Sequence, residues 1–315
     1  MVAALSRSLL LAFVLLAASS ASAVTLTWTP IGNPGNACDS QPQGCFGGVG
    51  YAYDISTYEI TNAQYAEFLN AKAASDPLSL YNTGMATAPG GITRTGTPGS
   101  FTYAVVAGRG EIPVNNVSVY DAMRFANWVQ NGQGVSDTET GAYTLLGGTE
   151  QPSNPNVTRN FDATIVLSNE NEWYKAAYYD PFSGTYFDYP AGSNTQTACS
   201  GATATPNSAN CGGFVNNLLP KGSYTGSAAP SGTVDQGGNV AEWIEDVVSS
   251  NRILRGGGYN NPANRLGAFS RFQLNPLGES VGTGFRLVQL TFVPEPGTGL
   301  LLLGGLIGLA ARRRA

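Results

Sequence analysis

The sequence contains no histidine and few charged residues, and both absences restrict what the protein can do. A Ser-His-Asp or Cys-His catalytic centre, a two-histidine iron site and a histidine-ligated zinc all need an imidazole, so they are excluded. Lys and Arg number 16 against 21 Asp and Glu, a net charge of -5 at pH 7. Nucleic-acid binding needs clustered basic side chains, so no nucleic-acid partner is expected.

Residues 1–23 have the pattern of a secretory signal peptide. One basic residue, Arg7, precedes an apolar run from Leu9 to Ala18, and the small residues Ala21-Ser22-Ala23 follow. This pattern predicts export and cleavage after Ala23. A short N-terminal anchor is the alternative, for which the apolar run is too short to span a bilayer comfortably.

Residues 293–315 form a second sorting pattern at the other end of the chain. It contains Pro294, Glu295 and Pro296, then an apolar stretch predicted to span a membrane over about 298–311, and a basic tail of Arg312, Arg313 and Arg314. The positive-inside rule places this tail in the cytoplasm. The body of the protein is therefore expected outside.

This C-terminal pattern closely resembles the PEP-CTERM signal of Gram-negative bacteria that make exopolysaccharides. The resemblance implies export through the secretion machinery, processing near the motif by an exosortase, and delivery to the cell envelope, cell surface or extracellular matrix. An unprocessed membrane anchor is the alternative. The exported body is acidic in either case, because residues 24–311 carry 12 basic and 21 acidic side chains, a net charge of -9.

Export into an oxidising compartment makes disulfides the expected state of the four cysteines. Three pairings are possible, and we favour the two local ones, Cys38 with Cys45 and Cys199 with Cys211, since each closes a short loop. Each would contribute about 2 to 3 kcal/mol by restricting the unfolded chain. A reactive or copper-binding cysteine pair is the alternative.

The remaining residues, 24–292, are expected to form one α+β domain with much irregular structure. Capping patterns predict helices after Thr61, with Gln64 completing the cap, and after Ser118, with Asp121 in that role. A third helix is predicted after Ser168, before Pro181. Short strands are predicted at 164–167, 252–257 and 284–288.

Six segments in this region occur in the order expected of one family. They are Tyr58-Glu-Ile-Thr-Asn-Ala-Gln-Tyr65, Pro113-Val-Asn-Asn-Val-Ser-Val-Tyr-Asp-Ala122, Leu167-Ser-Asn-Glu-Asn-Glu-Trp173, Gly237-Gly-Asn-Val-Ala-Glu-Trp243, Leu254-Arg-Gly-Gly-Gly258 and Gly284-Phe-Arg-Leu287. Together they resemble the formylglycine-generating-enzyme, or sulfatase-modifying-factor, domain over roughly residues 50–290. The resemblance implies an irregular α+β fold with a C-type-lectin-like core, little regular secondary structure and structural calcium.

The chain departs from that family at its catalytic motif. The enzymes bind copper through a Cys-x-Arg-x-Arg-Cys-x-x-Arg segment and oxidise a sulfatase cysteine to formylglycine. If Arg271 takes the place of the last arginine, Arg265 matches the first, but Ala263 and Ala268 replace both cysteines and Gly267 replaces the middle arginine. Copper(I) requires soft ligands that alanine lacks, so copper is not expected. The iron branches of the superfamily need histidine and are excluded too.

The C-terminal part of the domain nevertheless concentrates arginine and aromatic residues, where the resemblance implies a substrate cleft. The cleft candidates are Arg255, Tyr259, Arg265, Phe269, Ser270, Arg271 and Arg286, with Phe272 beside them. Guanidinium groups could bind carboxylates, sulfates or glycan groups while aromatic rings stack on a sugar or peptide. The alternative is that these arginines, Arg255 and Arg286 above all, pair with acidic residues of neighbouring strands.

Calcium ligands are predicted in the segment before Trp243. Amide, carbonyl and carboxylate oxygens suit this hard cation, so Asn239 and Glu242 are the first candidates, with Asn210 and the Tyr224 carbonyl proposed for a second site. In the alternative interpretation, Trp243 anchors a core strand and Glu242 makes an internal salt bridge.

Two classes of function follow from the sequence. The first is an exported binding or structural module without formylglycine-generating activity, which recognises a glycan, an exopolysaccharide or a surface protein. The second is an oxidoreductase of the formylglycine-generating type that acts on a protein cysteine with noncanonical chemistry. Replacement of both copper cysteines favours the first.

Overall fold

A computed structural model describes residues 23–291. This part of the chain contains three α-helices, α1 (Asn62–Lys72), α2 (Val119–Gln130) and α3 (Glu170–Tyr178). Its strands are short: β1 (Trp28–Ile31), β2 (Asp39–Gln41), β3 (Gly44–Phe46), β4 (Tyr53–Ser56), β5 (Ile92–Thr95), β6 (Thr102–Val105), β7 (Ile165–Leu167), β8 (Tyr179–Asp180), β9 (Thr185–Tyr186), β10 (Ala198–Cys199), β11 (Ser208–Ala209), β12 (Ala241–Val248), β13 (Asn251–Arg255), β14 (Phe272–Leu274), β15 (Thr283–Gly284) and β16 (Leu287–Leu290). The α+β class with extensive irregular structure is confirmed.

Two four-stranded sheets organise the domain. The first has the order β1-β4-β16-β7 with antiparallel neighbours, and the second has the order β14-β13-β12-β15, in which β15 runs parallel to β12. The remaining strands form two-stranded pairs within the connecting segments.

The chain passes from the second sheet to the first at Phe285 and Arg286. The sequence predicts one strand over 284–288, but the structure has β15 before these residues and β16 after them. Phe285 enters the aromatic core, and its carbonyl accepts the N–H of Ile60 at 2.9 Å. Because β15 pairs in one sheet and β16 in the other, Arg286 is held at the junction between the sheets.

The predicted caps of the first two helices are confirmed. At α1, the Thr61 side chain accepts the N–H of Gln64, whose own side chain accepts the N–H of Thr61. At α2, Ser118 and Asp121 make the same reciprocal pair. Such a cap satisfies two backbone donors that the first turn leaves without partners.

The third helix begins one residue later than the sequence analysis expects. Asn169 rather than Ser168 is the cap, and its Oδ1 accepts the N–H of Glu172 at 2.9 Å. Ser168 is instead buried, and its carbonyl accepts the N–H of Glu245 at 3.1 Å. An asparagine carbonyl caps a helix as well as a serine hydroxyl does, so the two neighbouring residues were ambiguous.

An aromatic cluster fills the main core between α1, α2 and the first sheet. Phe125 lies at its centre, with ring centroids 5.4 Å from Phe68, 5.6 Å from Trp128 and 5.5 Å from Phe285. These edge-to-face and tilted contacts add to the stabilisation from apolar burial. Burial of such large rings compensates for the short length of the regular elements.

Both predicted disulfides are present. Cys38 pairs with Cys45 across the β2–β3 hairpin, with Cα atoms 5.4 Å apart. Cys199 pairs with Cys211 at a Cα separation of 4.8 Å, next to the β10–β11 pair. Each bond closes a short loop between residues that are close in sequence, 7 and 12 positions apart.

Within residues 23–291, no helix is long and apolar enough to cross a membrane. The signal-peptide residues 1–22 and the predicted sorting signal, with its membrane segment at 298–311, lie outside the described residues.

Candidate functional site

The predicted cleft residues divide into a buried group and an accessible group. Arg255, Tyr259, Ser270 and Arg286 are buried, whereas the other candidates reach the surface to different extents: Arg271 is partly buried, and Arg265 and Phe269 are exposed. The structure therefore does not bring all seven candidates together in one open pocket.

Glu170, the first residue of α3, holds two of the predicted cleft arginines. Its Oε1 accepts hydrogen bonds from Arg255 Nη2 at 2.7 Å and Arg271 Nε at 2.7 Å, and its Oε2 accepts Arg271 Nη2 at 2.8 Å. Arg255 Nη1 also donates to the carbonyls of Ala268 and Ser270. Both guanidinium groups thus have an internal acidic partner, as in the alternative interpretation, but this partner lies on helix α3 rather than on a neighbouring strand.

Aromatic rings complete this cluster on the side of α3. The Arg255 guanidinium lies 4.7 Å from the ring centroid of Phe46 and 5.0 Å from that of Tyr174. The backbone N–H of Glu170 donates to Asp246 Oδ2 at 2.7 Å, and burial raises the pKa of Asp246 above its usual range. The cluster is therefore a buried cross-link between α3 and the second sheet.

Glu242 and Arg286 form a fully buried ion pair at the junction of the sheets. Arg286 Nε donates to Glu242 Oε2 at 2.6 Å and Nη2 donates to Oε1 at 2.7 Å, with both side chains 0% exposed. The indole N–H of Trp173 donates to Glu242 Oε2 at 2.7 Å. The remaining Arg286 donors reach the carbonyls of Ser56 and Val234. This geometry is the salt bridge of the alternative interpretation.

These contacts do not fit Glu242 as a calcium ligand. Both of its oxygens already accept charged or indole donors, and a divalent cation there would face the Arg286 guanidinium at close range. The side-chain oxygen of Asn239 likewise accepts two donors, Asn210 Nδ2 and the Leu219 N–H, each at 3.1 Å. The sequence analysis left a salt bridge of Glu242 open but did not identify Arg286 as its partner, because the two residues are 44 positions apart.

The second predicted pair of calcium ligands, Asn210 and the Tyr224 carbonyl, fits better, because the side-chain oxygen of Asn210 is free to accept a cation. Asn210 is 1% exposed, and its side-chain oxygen has no hydrogen-bond partner within the described part of the chain. An orphaned buried oxygen of this kind is suited to a calcium ion. The Tyr224 carbonyl accepts the N–H of Ser227 at 3.0 Å and can bind a cation with its second lone pair. Calcium binding remains a prediction.

Glu59, to which the sequence analysis assigned no role, is a buried acidic residue near the Glu242–Arg286 ion pair. Glu59 is 2% exposed, and neither carboxylate oxygen has a partner among residues 23–291. Burial, followed by the nearby Asp235 carboxylate, raises the pKa of Glu59 well above its usual range. Burial also raises the pKa of Asp235 to about 6. The sequence signal that could have indicated this buried carboxylate is the position of Glu59 between Tyr58 and Ile60.

The accessible part of the predicted cleft is a surface formed by Arg265, Phe269 and Phe272. The Arg265 guanidinium stacks over the Phe272 ring, 4.3 Å from its centroid, and Phe269 is 42% exposed. Within the described residues no carboxylate lies within ion-pair distance of Arg265. This surface, called here the Arg265 surface, therefore offers an unneutralised guanidinium, one exposed ring, Phe269, and one partly buried ring, Phe272.

The two alanines at the copper-cysteine positions flank this surface. Ala268 is 1% exposed and packs in an apolar cluster with Trp173, Tyr178 and Ile253. A Cβ atom at Gly267 would lie 2.6 Å from the Phe269 ring, so the glycine allows this ring to lie against the backbone. Sulfur ligands are absent here, and all four cysteines of the chain are in the two disulfides.

The fold and this site define a C-type-lectin-like, sulfatase-modifying-factor class of domain. The family model of the sulfatase-modifying factor enzyme 1-like domain matches residues 49–291, and a model of the PEP-CTERM protein-sorting motif matches residues 292–314. The chain therefore belongs to the sulfatase-modifying factor enzyme 1-like domain family. It is an exported member, with the envelope or surface address that this motif carries in Gram-negative bacteria.

Two solved structures with a similar fold are distantly related to this chain in sequence. Treponema denticola variable protein 1 is 21% identical with a TM-score of 0.54, over 86% of this chain and 97% of that one. CarF is 19% identical with a TM-score of 0.54, over 85% of this chain and 99% of that one. No curated protein matches the sequence. At these identities the likeness supports the fold alone.

Proposed function

We propose that this protein is an exported, surface- or matrix-associated binding module that does not generate formylglycine. The observation that carries the proposal is the pair of alanines, Ala263 and Ala268, at the two copper-cysteine positions. Copper(I) needs thiolate ligands, and alanine supplies no donor atom. Ala268 is also buried against Trp173, so its surroundings are those of a packed apolar side chain.

The state of the predicted cleft supports the same proposal. Glu170 neutralises Arg255 and Arg271 internally, and Glu242 neutralises Arg286. A catalytic cleft for an ionised cysteine substrate would need cationic groups that remain available to it. Here the guanidinium groups serve as structural cross-links between elements.

The Arg265 surface is the part of the cleft that remains able to bind a ligand. A guanidinium stacked on an aromatic ring keeps its five N–H donors in the plane, where a carboxylate, a sulfate or sugar hydroxyls can accept them. Phe269 adds an exposed aromatic face on which the apolar side of a sugar can stack. We therefore expect the ligand to be a glycan or exopolysaccharide, with a surface protein as the second possibility.

The formylglycine assay separates the binding module from the alternative, an oxidoreductase acting on a protein cysteine. A cysteine-containing sulfatase peptide is incubated with the mature chain, copper and oxygen, and its mass is measured beside an active family enzyme. We expect an unchanged thiol. Conversion to the aldehyde would contradict the proposal and require a copper site outside positions 263 and 268.

Binding at the Arg265 surface is tested by affinity electrophoresis in gels that contain dextran or dextran sulfate. We expect retardation of the wild-type chain in at least one gel and its loss in Arg265→Ala and Phe269→Ala. Phe182→Ala is the matched control, because Phe182 is a 96% exposed ring in the turn between β8 and β9. Equal mobility of all three variants and the wild type would exclude this surface as the glycan site.

A further inference from the structure

An open groove lies at the place where the described part of the chain ends. Its volume is about 740 Å³, and Leu290 and Thr291, the last described residues, form part of its lining. Tyr51 and Phe161 line it as well, together with Pro34, Ala52 and Ala163. The groove is distinct from the Arg265 surface, with which it shares none of these residues.

Arg159, the charged side chain in the lining of the groove, is already paired with carboxylates inside the protein. Arg159 donates to both oxygens of Glu172 at 2.8 and 2.9 Å, and its Nε lies 2.7 Å from Glu245 Oε1. The Tyr51 hydroxyl donates to Glu172 Oε1 at 2.6 Å, which fixes the direction of its ring. The guanidinium is thereby neutralised, so the groove offers a ligand mainly apolar surface rather than charge.

Two aromatic side chains of this groove are exposed to solvent. Phe161 is 97% exposed and Tyr51 is 43% exposed, although both belong to the same apolar lining as Leu290. A single exposed apolar residue is ordinary, but rings grouped around one groove mark an interaction surface. Because the Tyr51 hydroxyl is hydrogen-bonded to Glu172 inside the protein, it is the ring of Tyr51 that is exposed to solvent.

The position of Thr291 limits how far this groove can be from a membrane. Six residues, 292–297, separate it from the apolar stretch that begins at about 298. Even a fully extended chain of that length spans only about 20 Å. While the C-terminal stretch resides in a bilayer, Thr291 and the groove that it lines therefore lie within about that distance of the bilayer. Aromatic side chains are enriched at the level of lipid headgroups.

We propose that the groove face, formed by Tyr51, Phe161 and Leu290, docks on the lipid surface that holds the chain's own C-terminal stretch. Docking does not use the residues of the Arg265 surface, and it keeps the Pro294–Pro296 motif near the membrane surface. We expect the partner of this face to be a bilayer, because its residues are apolar and aromatic and Arg159 is paired with internal carboxylates. It does not depend on the ligand-binding function proposed above.

The test is a fluorescence-quenching experiment in phosphatidylcholine vesicles on residues 24–315, which keep the C-terminal stretch. The four native cysteines are disulfide-bonded, so Phe161→Cys introduces the one thiol that a bimane label can modify. The vesicles contain phosphatidylcholine with a spin label near the top of the acyl chain. We expect quenching at position 161 to exceed that at a labelled Phe214→Cys control by at least about two-fold, because interfacial side chains enter the headgroup region.

Each other outcome would overturn the proposal. Equal quenching at the two positions would mean that the domain has no preferred face towards lipid. Absence of quenching at both, with the protein floating with the vesicles, would mean that the domain stays off the surface. A chain that does not float at all would remove the tether on which the distance argument rests. Because Phe161 is 97% exposed, its replacement is not expected to disturb folding.

Discussion

Replacement of Glu242 by glutamine tests the buried ion pair and the calcium prediction together. In Glu242→Gln, Arg286 keeps its charge but loses a carboxylate partner while remaining 0% exposed. Removing one partner of a buried pair typically costs about 3 to 5 kcal/mol, because the other charge stays buried without compensation. The bonds at 2.6 and 2.7 Å and the Trp173 indole bond are all affected. The free energy of unfolding should fall by that amount.

The assay is thermal unfolding followed by circular dichroism, in calcium and in chelator. For a domain of this size the expected loss lowers the melting temperature by roughly 10 °C. Since Glu242 is committed to Arg286, we expect the same loss in both buffers. Glu111→Gln is the matched control, because Glu111 pairs with Lys221 at the surface and its side chain is 63% exposed. Its loss should stay below about 1 kcal/mol.

Two results would refute this reasoning. A loss in Glu242→Gln no larger than in the Glu111→Gln control would mean that the buried pair contributes little. A loss seen in calcium but not in chelator would restore Glu242 as a metal ligand.

Three further predictions concern other buried groups. Burial raises the pKa of Asp121 to about 8, of Glu245 to about 7 and of Asp235 to about 6. A carboxyl whose pKa is higher in the folded than in the unfolded chain stabilises the fold while it is protonated, so this stabilisation is lost as the pH rises. Urea titrations should therefore show the free energy of unfolding falling between pH 5 and 8, by about 3 kcal/mol for Glu245 alone, and a rise would contradict this. Glu170→Gln should destabilise the fold by at least about 3 kcal/mol in the same titration, whereas a near-neutral effect would show that Arg255 and Arg271 find other partners. Gly256→Ala should lower the melting temperature by several degrees, because Gly256 has φ 87° and a Cβ there would lie 2.6 Å from the Gln236 carbonyl oxygen; unchanged melting would refute the strain.

The sequence predicted features that depend on neighbouring residues. The caps at Thr61 and Ser118 involve positions three residues apart, and the disulfides close loops of 7 and 12 residues. Such contacts form whenever the local backbone is right, whatever the rest of the fold does. The start of α3 was misplaced by one residue because Ser168 and Asn169 are both good caps.

The partners of the arginines could not be predicted in the same way. Arg255 meets Glu170 across 85 residues, and Arg286 meets Glu242 across 44. Which acid a buried guanidinium finds is decided by the packing of α3 against the second sheet and by the crossover between β15 and β16. The sequence left both interpretations open for these residues. Accessibility, which separates Arg265 from them, is likewise a property of the folded chain.

The internal pairing of these arginines changes how the family resemblance relates to function. A domain that retained a catalytic cleft would be expected to keep its cationic groups available to substrate, since preorganised charge stabilises a reaction only if it faces the reacting atoms. Here Glu170 pairs with Arg255 and Arg271, and Glu242 pairs with Arg286, so three of the four predicted arginines have internal partners. The first group links helix α3 to the second sheet, and the second lies at the junction of the two sheets. The same residues that suggest a substrate cleft in the sequence are thus structural in the fold. In the binding module proposed above, we expect specificity to depend on the exposed residues around Arg265, where substitution should cost little stability.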